Sequence, residues 1–374
     1  MDKAPIRVLV VDDTVVYRKT VSDVLAELPD VEIVGTANNG KVAMSKIAAY
    51  KPDLITLDIE MPEMNGLDVL RAIKKEGLDV GAIVLSTLTY KGGDLTMQAL
   101  ELGAFDYMTK PESGSIEESK EKIKKDLSLL IKGFSRHLEM KRILGRKIPF
   151  KKEVVTELDK SIQSEFSRTG DIFSRHGLKR KKAEIIGIGV STGGPKALTD
   201  MMPKIPGDIN VPILIVQHMP PVFTASLAKS LNDRCLIEVR EATDGETILP
   251  NIALIAPGGK QMKVVAGADG INRIIRITDD PPENSCKPSV DYLFRSIAEH
   301  YVGRSAGVIM TGMGSDGTNG LKMMKRNGAT IIAQDETSCV VFGMPKKPIE
   351  EGIVDVIAPL DKIAGEIYSS VRGV

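Results

Sequence analysis

The 374-residue sequence has only three cysteines, Cys235, Cys286 and Cys339. They are too few and too scattered for a disulfide framework or a zinc site. It has no net charge, since 50 Lys and Arg balance 50 Asp and Glu. Global electrostatics therefore select neither nucleic acid nor an anionic membrane as a partner. No apolar run approaches the ~18–20 residues of a spanning helix, so membrane insertion is not expected. The N-terminus has an acid at Asp2 and a strand pattern from Ile6, which does not read as a secretory signal. A cytoplasmic protein is expected. Histidine is also scarce: His137, His176, His218 and His300 are all there are, so few residues can serve as a general base. What is present is a globular composition, 42% hydrophobic and 27% charged, long enough for two domains and a connector.

Residues 1–140 alternate apolar strand patterns with helical ones. Strands are expected at Ile6–Val11, Glu32–Thr36, Leu54–Leu57, Ile83–Leu85 and Phe105–Met108. The first helix pattern places Val15, Val16, Val21, Val24, Leu25 and Leu28 on one face, and a second runs over Gly40–Ala49. Such alternation implies a parallel sheet covered on both faces. The first strand ends in Asp12-Asp13 and the third in Asp58. Three acids converging at one sheet edge repel, and a hard divalent cation with oxygen ligands, Mg²⁺, is the usual remedy. The fourth strand runs into Ser86-Thr87 and the fifth into Thr109-Lys110-Pro111. A hydroxyl and a lysine beside such a metal fit phosphoryl transfer to a carboxylate.

A capping box at Ser115-Ile116-Glu117-Glu118 opens a helix whose apolar side runs from Ile116 to Leu138. It is expected to continue beyond the domain. Residues 141–182 follow with 13 Lys/Arg against 5 Asp/Glu. Sparse aromatics and no helix-turn-helix pattern favour a solvated linker over a DNA-binding segment. Val154, Leu158, Ile162 and Phe166 recur every four residues and could line one face of a helix.

Residues 183–374 repeat the alternating α/β pattern. Strands are expected at Glu184–Val190, Pro212–Gln217, Ile252–Ala256, Arg273–Ile277, Ala306–Thr311 and Thr330–Gln334. Three of them lead into Ser191, His218 and Asp316. A serine hydroxyl is a weak nucleophile that needs a base, and the base needs an acceptor to fix its tautomer. His218 alone among the histidines follows a buried strand pattern. Gly193-Gly194 opens a helix N-terminus beside Ser191, which suits a developing oxyanion. Thr192 and Met313 are candidate backbone donors. Gly189-Val-Ser191-Thr-Gly193 spells the elbow of α/β-hydrolases, but that fold orders its triad Ser, acid, His. Only Asp200 and Asp208 lie between Ser191 and His218, and neither follows a strand pattern. A dinucleotide site would need an acid ending the next strand, where Gln217-His218 stands.

The first segment resembles a response-regulator receiver domain. The resemblance implies that Asp12, Asp13 and Asp58 hold Mg²⁺, that Asp58 accepts the phosphoryl group and that Lys110 contacts it. It implies a cis Lys110–Pro111 bond and makes Ser86, or the adjacent Thr87, the switch hydroxyl. The second segment resembles the catalytic domain of the chemotaxis protein-glutamate methylesterases, the CheB family. Ile188-Gly-Val-Ser-Thr-Gly-Gly-Pro195, Gln217-His-Met-Pro220, Cys286-Lys-Pro-Ser-Val-Asp291 and Thr311-Gly-Met-Gly-Ser-Asp-Gly317 carry that resemblance. The implied architecture is a flavodoxin-like five-stranded receiver at 1–140, a basic linker at 141–182, and a doubly wound, mainly parallel methylesterase domain at 183–374. The implied substrates are glutamyl γ-methyl esters on methylated chemoreceptors, with glutamine deamidation by the same site. No cofactor is implied for the esterase step. A chemotaxis histidine kinase would be the phosphodonor, and the receiver, altered at Ser86 and Tyr107, would uncap the Ser191 face. The rival readings are a receiver-regulated binding module without catalysis and a DNA-binding regulator using the basic linker.

Overall fold

The computed structural model describes residues 4–111, 116–145 and 182–373. The capping box at Ser115, the Val154–Phe166 stripe and most of the basic linker lie outside the described residues.

The N-terminal unit is a five-stranded parallel sheet in the order β2-β1-β3-β4-β5. Its strands are β1 (Ile6–Val11), β2 (Val31–Ala37), β3 (Leu54–Asp58), β4 (Gly81–Ser86) and β5 (Asp106–Thr109). Helices α1 (Val15–Ala26), α2 (Gly40–Tyr50), α3 (Gly66–Glu76), α4 (Tyr90–Leu102) and α5 (Ile116–Gly145) cover both faces. The near-continuous apolar strands exist because both faces are buried. Val15 and Val16, expected to face inward, are 67% and 69% exposed. The face defined by Val21, Val24 and Leu25 extends back one turn to Tyr17, so the first two valines are out of phase. Helix α5 is 30 residues long and packs Ile123, Leu127, Leu130, Ile131 and Phe134 into the core of this unit.

The C-terminal unit is a seven-stranded sheet in the order β14-β13-β12-β6-β7-β9-β8, with every pairing parallel. The central strands are β6 (Ile185–Val190), β7 (Ile213–Gln217) and β12 (Ser305–Ile309). They are flanked by β9 (Ile252–Ile255), β8 (Glu238–Glu241), β13 (Thr330–Gln334) and β14 (Val356–Ala358). An antiparallel pair, β10 (Gln261–Ala266) and β11 (Arg273–Thr278), stands apart. The helices are α6 (Gly194–Met201), α7 (Phe223–Asn232), α8 (Val290–His300), α9 (Thr318–Arg326), α10 (Lys346–Glu350) and α11 (Leu360–Arg372). No helix among the described residues is long and apolar enough to cross a membrane.

The two units meet along α4 and α7. Glu101 on α4 binds Arg234 at 2.6 Å and accepts a hydrogen bond from the Ser230 hydroxyl at 2.7 Å. The Tyr107 ring stacks on buried Phe223, with centroids 5.0 Å apart and planes 10° apart.

Helix α8 lies unusually close to β6 because β6 carries Gly187 and Gly189. A Cβ at Gly189 would sit 2.3 Å from Val290 Cγ1, while one at Gly365 on α11 would meet nothing within 4 Å. Gly189→Ala is therefore expected to lower unfolding stability by about 1–3 kcal/mol through overpacking. Gly365→Ala should raise it by about 0.5–1 kcal/mol. Urea unfolding of both variants checks the pair.

Candidate active site

Ser191 follows β6, and its backbone is held on three sides. Its N–H donates to Thr311 O at 3.0 Å. Its carbonyl accepts from Gly194 N–H at 2.7 Å and from Gln217 Nε2 at 3.0 Å. His218 follows the neighbouring β7. Its Nε2 lies 2.8 Å from Asp316 Oδ2. Asp316 does not end its strand: it lies seven residues beyond Ile309, on the loop into α9.

The surroundings of Asp316 are built for a carboxylate. Oδ1 accepts from Asn284 Nδ2 at 2.9 Å, Ser289 Oγ at 2.9 Å, and the N–H groups of Asp291 and Gly317 at 3.1 and 3.0 Å. Oδ2 also accepts from Val290 N–H at 2.7 Å. Two of these donors open α8, so the helix N-terminus adds a favourable field. Burial alone would raise the Asp316 carboxyl, but these hydrogen bonds and His218 hold it down at about 2. Burial pulls His218 the other way, downward; Asp316, with Cys286, overcomes it and lifts the imidazole to about 9. Asp316 is thus ionised at neutral pH and favours the protonated form of the ring it holds.

Ser191, Thr192, His218, Cys286 and Met313 line one cavity of about 430 Å³. Among the described residues, the N–H groups of Thr192 and Met313 are engaged by no other group of the chain. They are available to an oxyanion. The Ser191 hydroxyl is not hydrogen-bonded to the imidazole here. Instead, His218 Nδ1, the ring nitrogen Asp316 leaves free, faces Cys286 Sγ at 3.6 Å. The opposite wall of the cavity belongs to the N-terminal unit: Asp106, Tyr107, Met108, Thr109 and part of α5. Asp106 reaches across, its Oδ2 3.3 Å from the N–H of Gly193. Burial lifts this carboxyl to about 7, against the hydrogen bonds from Tyr107 and Gly193 N–H.

The acidic pocket forms as the strand ends imply. Asp12, Asp13 and Asp58 place carboxylate oxygens within 4.8 Å of one another. Lys110 Nζ lies 2.9 Å from Asp12 Oδ2 and 2.8 Å from Asp58 Oδ2. Burial raises the Asp58 carboxyl to about 6, with Lys110 opposing. One lysine against three carboxylates leaves negative charge uncompensated, and an all-oxygen donor set of this kind suits a hard divalent cation. The Ser86 hydroxyl points into α4, donating to Gly92 O at 3.1 Å and accepting from Thr96 Oγ1 at 2.7 Å. Thr87 Oγ1 pairs with Thr89 Oγ1 at 3.3 Å. Neither hydroxyl touches Asp58 or Lys110 in this structure. The Lys110–Pro111 expectation is not met: the cis bond among the described residues is Lys287–Pro288.

Sequence reasoning missed the residues that support the site rather than form it. Cys286-Lys-Pro-Ser-Val-Asp291 signalled a motif without a role. The structure wraps this stretch around Asp316, with Ser289 and the Val290 and Asp291 amides as its donors. Asn284 and Asp106 carried no sequence signal, and Gln217 signalled a motif without this role, because each acts through a contact made only after folding.

In an NMR titration of the full chain, the His218 imidazole is expected to titrate near 9 instead of 6.5, and Asp316→Asn should bring it back down. The His218 contribution to stability is full below 6.5 and is lost as pH rises through about 9. The Asp316 contribution is present above 3.8 and is lost as pH falls through about 2. A His218 titration near 6.5 in the unsubstituted chain would contradict the pairing.

Comparison with known proteins finds relatives along nearly the whole chain. The CheB methylesterase family model matches residues 186–367, and the response regulator receiver domain model matches residues 8–122. The crystal structure of the Thermotoga maritima CheB methylesterase catalytic domain is 41% identical, covering 50% of this chain and 98% of that one, with a TM-score of 0.49. A protein-glutamate methylesterase/protein-glutamine glutaminase of Desulfotalea psychrophila is 54% identical over 98% of this chain and 99% of its own length. One of the same name from Bacillus subtilis is 43% identical over 98% and 99%. With both of its domains matched and its length aligned nearly end to end, the chain belongs to the CheB family of receiver-linked methylesterases.

Proposed function

We propose that this chain hydrolyses glutamate γ-methyl esters on the cytoplasmic helices of chemoreceptors, under control of its own receiver domain, and so serves sensory adaptation in chemotaxis. The observation that carries the reading is the His218–Asp316 couple in a cavity shared with Ser191 and two uncommitted backbone donors. Ser191 attacks the ester carbonyl while the Nδ1 of a neutral His218 takes the hydroxyl proton. Asp316 holds the ring through Nε2 and stabilises the imidazolium that forms. Thr192 and Met313 N–H groups receive the oxyanion, where one donor is typically worth ~10²–10³ in rate. His218 protonates departing methanol, and water then releases the free glutamate. The same steps act on a glutamine side chain with ammonia as the leaving group. That would make deamidation a second activity, in keeping with the double name of the relatives.

Regulation acts on access. Residues 1–140 form the receiver, 141–182 the connector and 183–374 the catalytic domain. Asp12, Asp13 and Asp58 would hold Mg²⁺, which supplies charge neutralisation for phosphoryl transfer. Asp58 takes the phosphoryl group from a chemotaxis histidine kinase. Lys110, with Ser86 or Thr87, then turns toward the new anion. Ser86 now anchors the start of α4, and α4 is the helix that grips α7. Release of that grip, with the Tyr107–Phe223 stack, uncovers the cavity. A hundredfold activation needs only ~2.7 kcal/mol of shifted equilibrium, which a few contacts of this kind supply.

Ser191→Ala is expected to abolish methanol release from methylated receptor membranes, and retained release would sink the esterase reading. With Asp58→Asn, a phosphodonor should no longer accelerate release although the basal rate persists. Removing residues 1–140 should raise the basal rate; a fall would contradict the capping role.

A further inference from the structure

Cys286 occupies a position that the esterase mechanism leaves unexplained. Its Sγ is 3.6 Å from His218 Nδ1, and the other nitrogen of that ring is held by Asp316 at 2.8 Å. Thiol, imidazole and carboxylate are therefore in line, in the order that activates a cysteine nucleophile. The thiol also contacts Asn284 O at 3.5 Å and opens onto the 430 Å³ cavity beside Ser191. It is held there by a tight loop. Asn284 and Ser285 both adopt left-handed backbone conformations, at φ 50° and 62°, and Glu283 and Cys286 exchange backbone hydrogen bonds of 3.1 and 2.8 Å. Asn284 itself is tied to Asp291 and Asp316. The other two cysteines lack these features: burial pushes the Cys235 thiol up to about 11 and the Cys339 thiol higher still.

We propose that Cys286 is a modification site, a His218-activated thiol in the catalytic cavity that attacks hydrogen peroxide and soft electrophiles, and whose oxidation switches the esterase off. The thiol proton passes to His218 Nδ1. The thiolate sulfur attacks one oxygen of the peroxide, the O–O bond breaks, and Cys286 becomes a sulfenic acid. The leaving hydroxide takes the proton from His218 and departs as water. Sulfur is oxidised and the peroxide is reduced. The sulfenic acid remains against Nδ1, the nitrogen Ser191 requires, so the serine loses its base. A cellular thiol restores Cys286 by forming a mixed disulfide that a second thiol reduces.

The inactivation rests on the esterase reading; the reactivity of Cys286 does not, so the test reads each separately. Full-length protein is labelled with iodoacetamide for increasing times, and the three cysteine peptides are quantified by mass spectrometry. Cys286 is expected to label at least about tenfold faster than Cys235 or Cys339, since His218 Nδ1 stands beside its sulfur to take the thiol proton. His218→Gln should slow Cys286 selectively. In parallel, hydrogen peroxide should remove most methanol release from the unsubstituted chain, with recovery in dithiothreitol. Cys286→Ser should keep its own untreated rate under the same dose. Labelling of Cys286 no faster than of the other two cysteines would overturn the proposal, even if Cys286→Ser fails to fold. Equal fractional loss in Cys286→Ser would overturn the switching role.

Discussion

The hydrogen bond between His218 and Asp316 is the interaction around which the C-terminal domain is arranged. A buried carboxylate is costly unless its oxygens are filled with donors. Here five donors besides the histidine fill them, and they come from three places: Asn284 and Ser289 ahead of α8, the Val290 and Asp291 amides at its start, and the Gly317 amide at the turn into α9. That requirement explains why α8 must lie against β6, and so why β6 carries glycine at 187 and 189. Packing of the core and poise of the site are thus one constraint. The imidazole held by Asp316 then has one remaining nitrogen, Nδ1, which faces Cys286 in the cavity that Ser191 also lines.

The second constraint is the shared wall of the cavity. The receiver does not simply lie near the catalytic domain. Asp106 takes up the N–H of Gly193, two residues past Ser191, and Tyr107 stacks on the ring that begins α7. Both residues belong to β5, which ends at Thr109, immediately before Lys110. The acidic pocket around Lys110 and the wall facing the serine cavity are therefore adjacent in the chain. A small change at Lys110 has only a short rigid path to travel.

Much of this was legible in the sequence because strand ends are legible. Asp12, Asp58, Lys110, Ser191 and His218 all sit at or just past the carboxyl end of an apolar strand, where a parallel sheet gathers its ligands. Asp316 was found through its Gly-rich loop although its strand stops seven residues earlier. The edge strand Glu238–Glu241 was not legible because it is charged, and Val356–Ala358 because three apolar residues are too short a run to signal a strand. Nor were the roles of Asn284, Gln217 and Asp106, which depend on partners 26 to 87 positions away. The inward setting of Val15 and Val16 failed for a plainer reason, a helical phase set by Tyr17 and Val21.

The central claim is that Ser191 is a nucleophile whose access is controlled from Asp58, 133 positions upstream. Labelling of the full chain by a fluorophosphonate, followed at the Ser191 peptide with and without Mg²⁺ and a small-molecule phosphodonor, tests it most directly. The account predicts labelling at Ser191 that the phosphodonor accelerates and that Asp58→Asn renders insensitive to it. Labelling absent from Ser191, or proceeding at the same rate in both conditions, would contradict it.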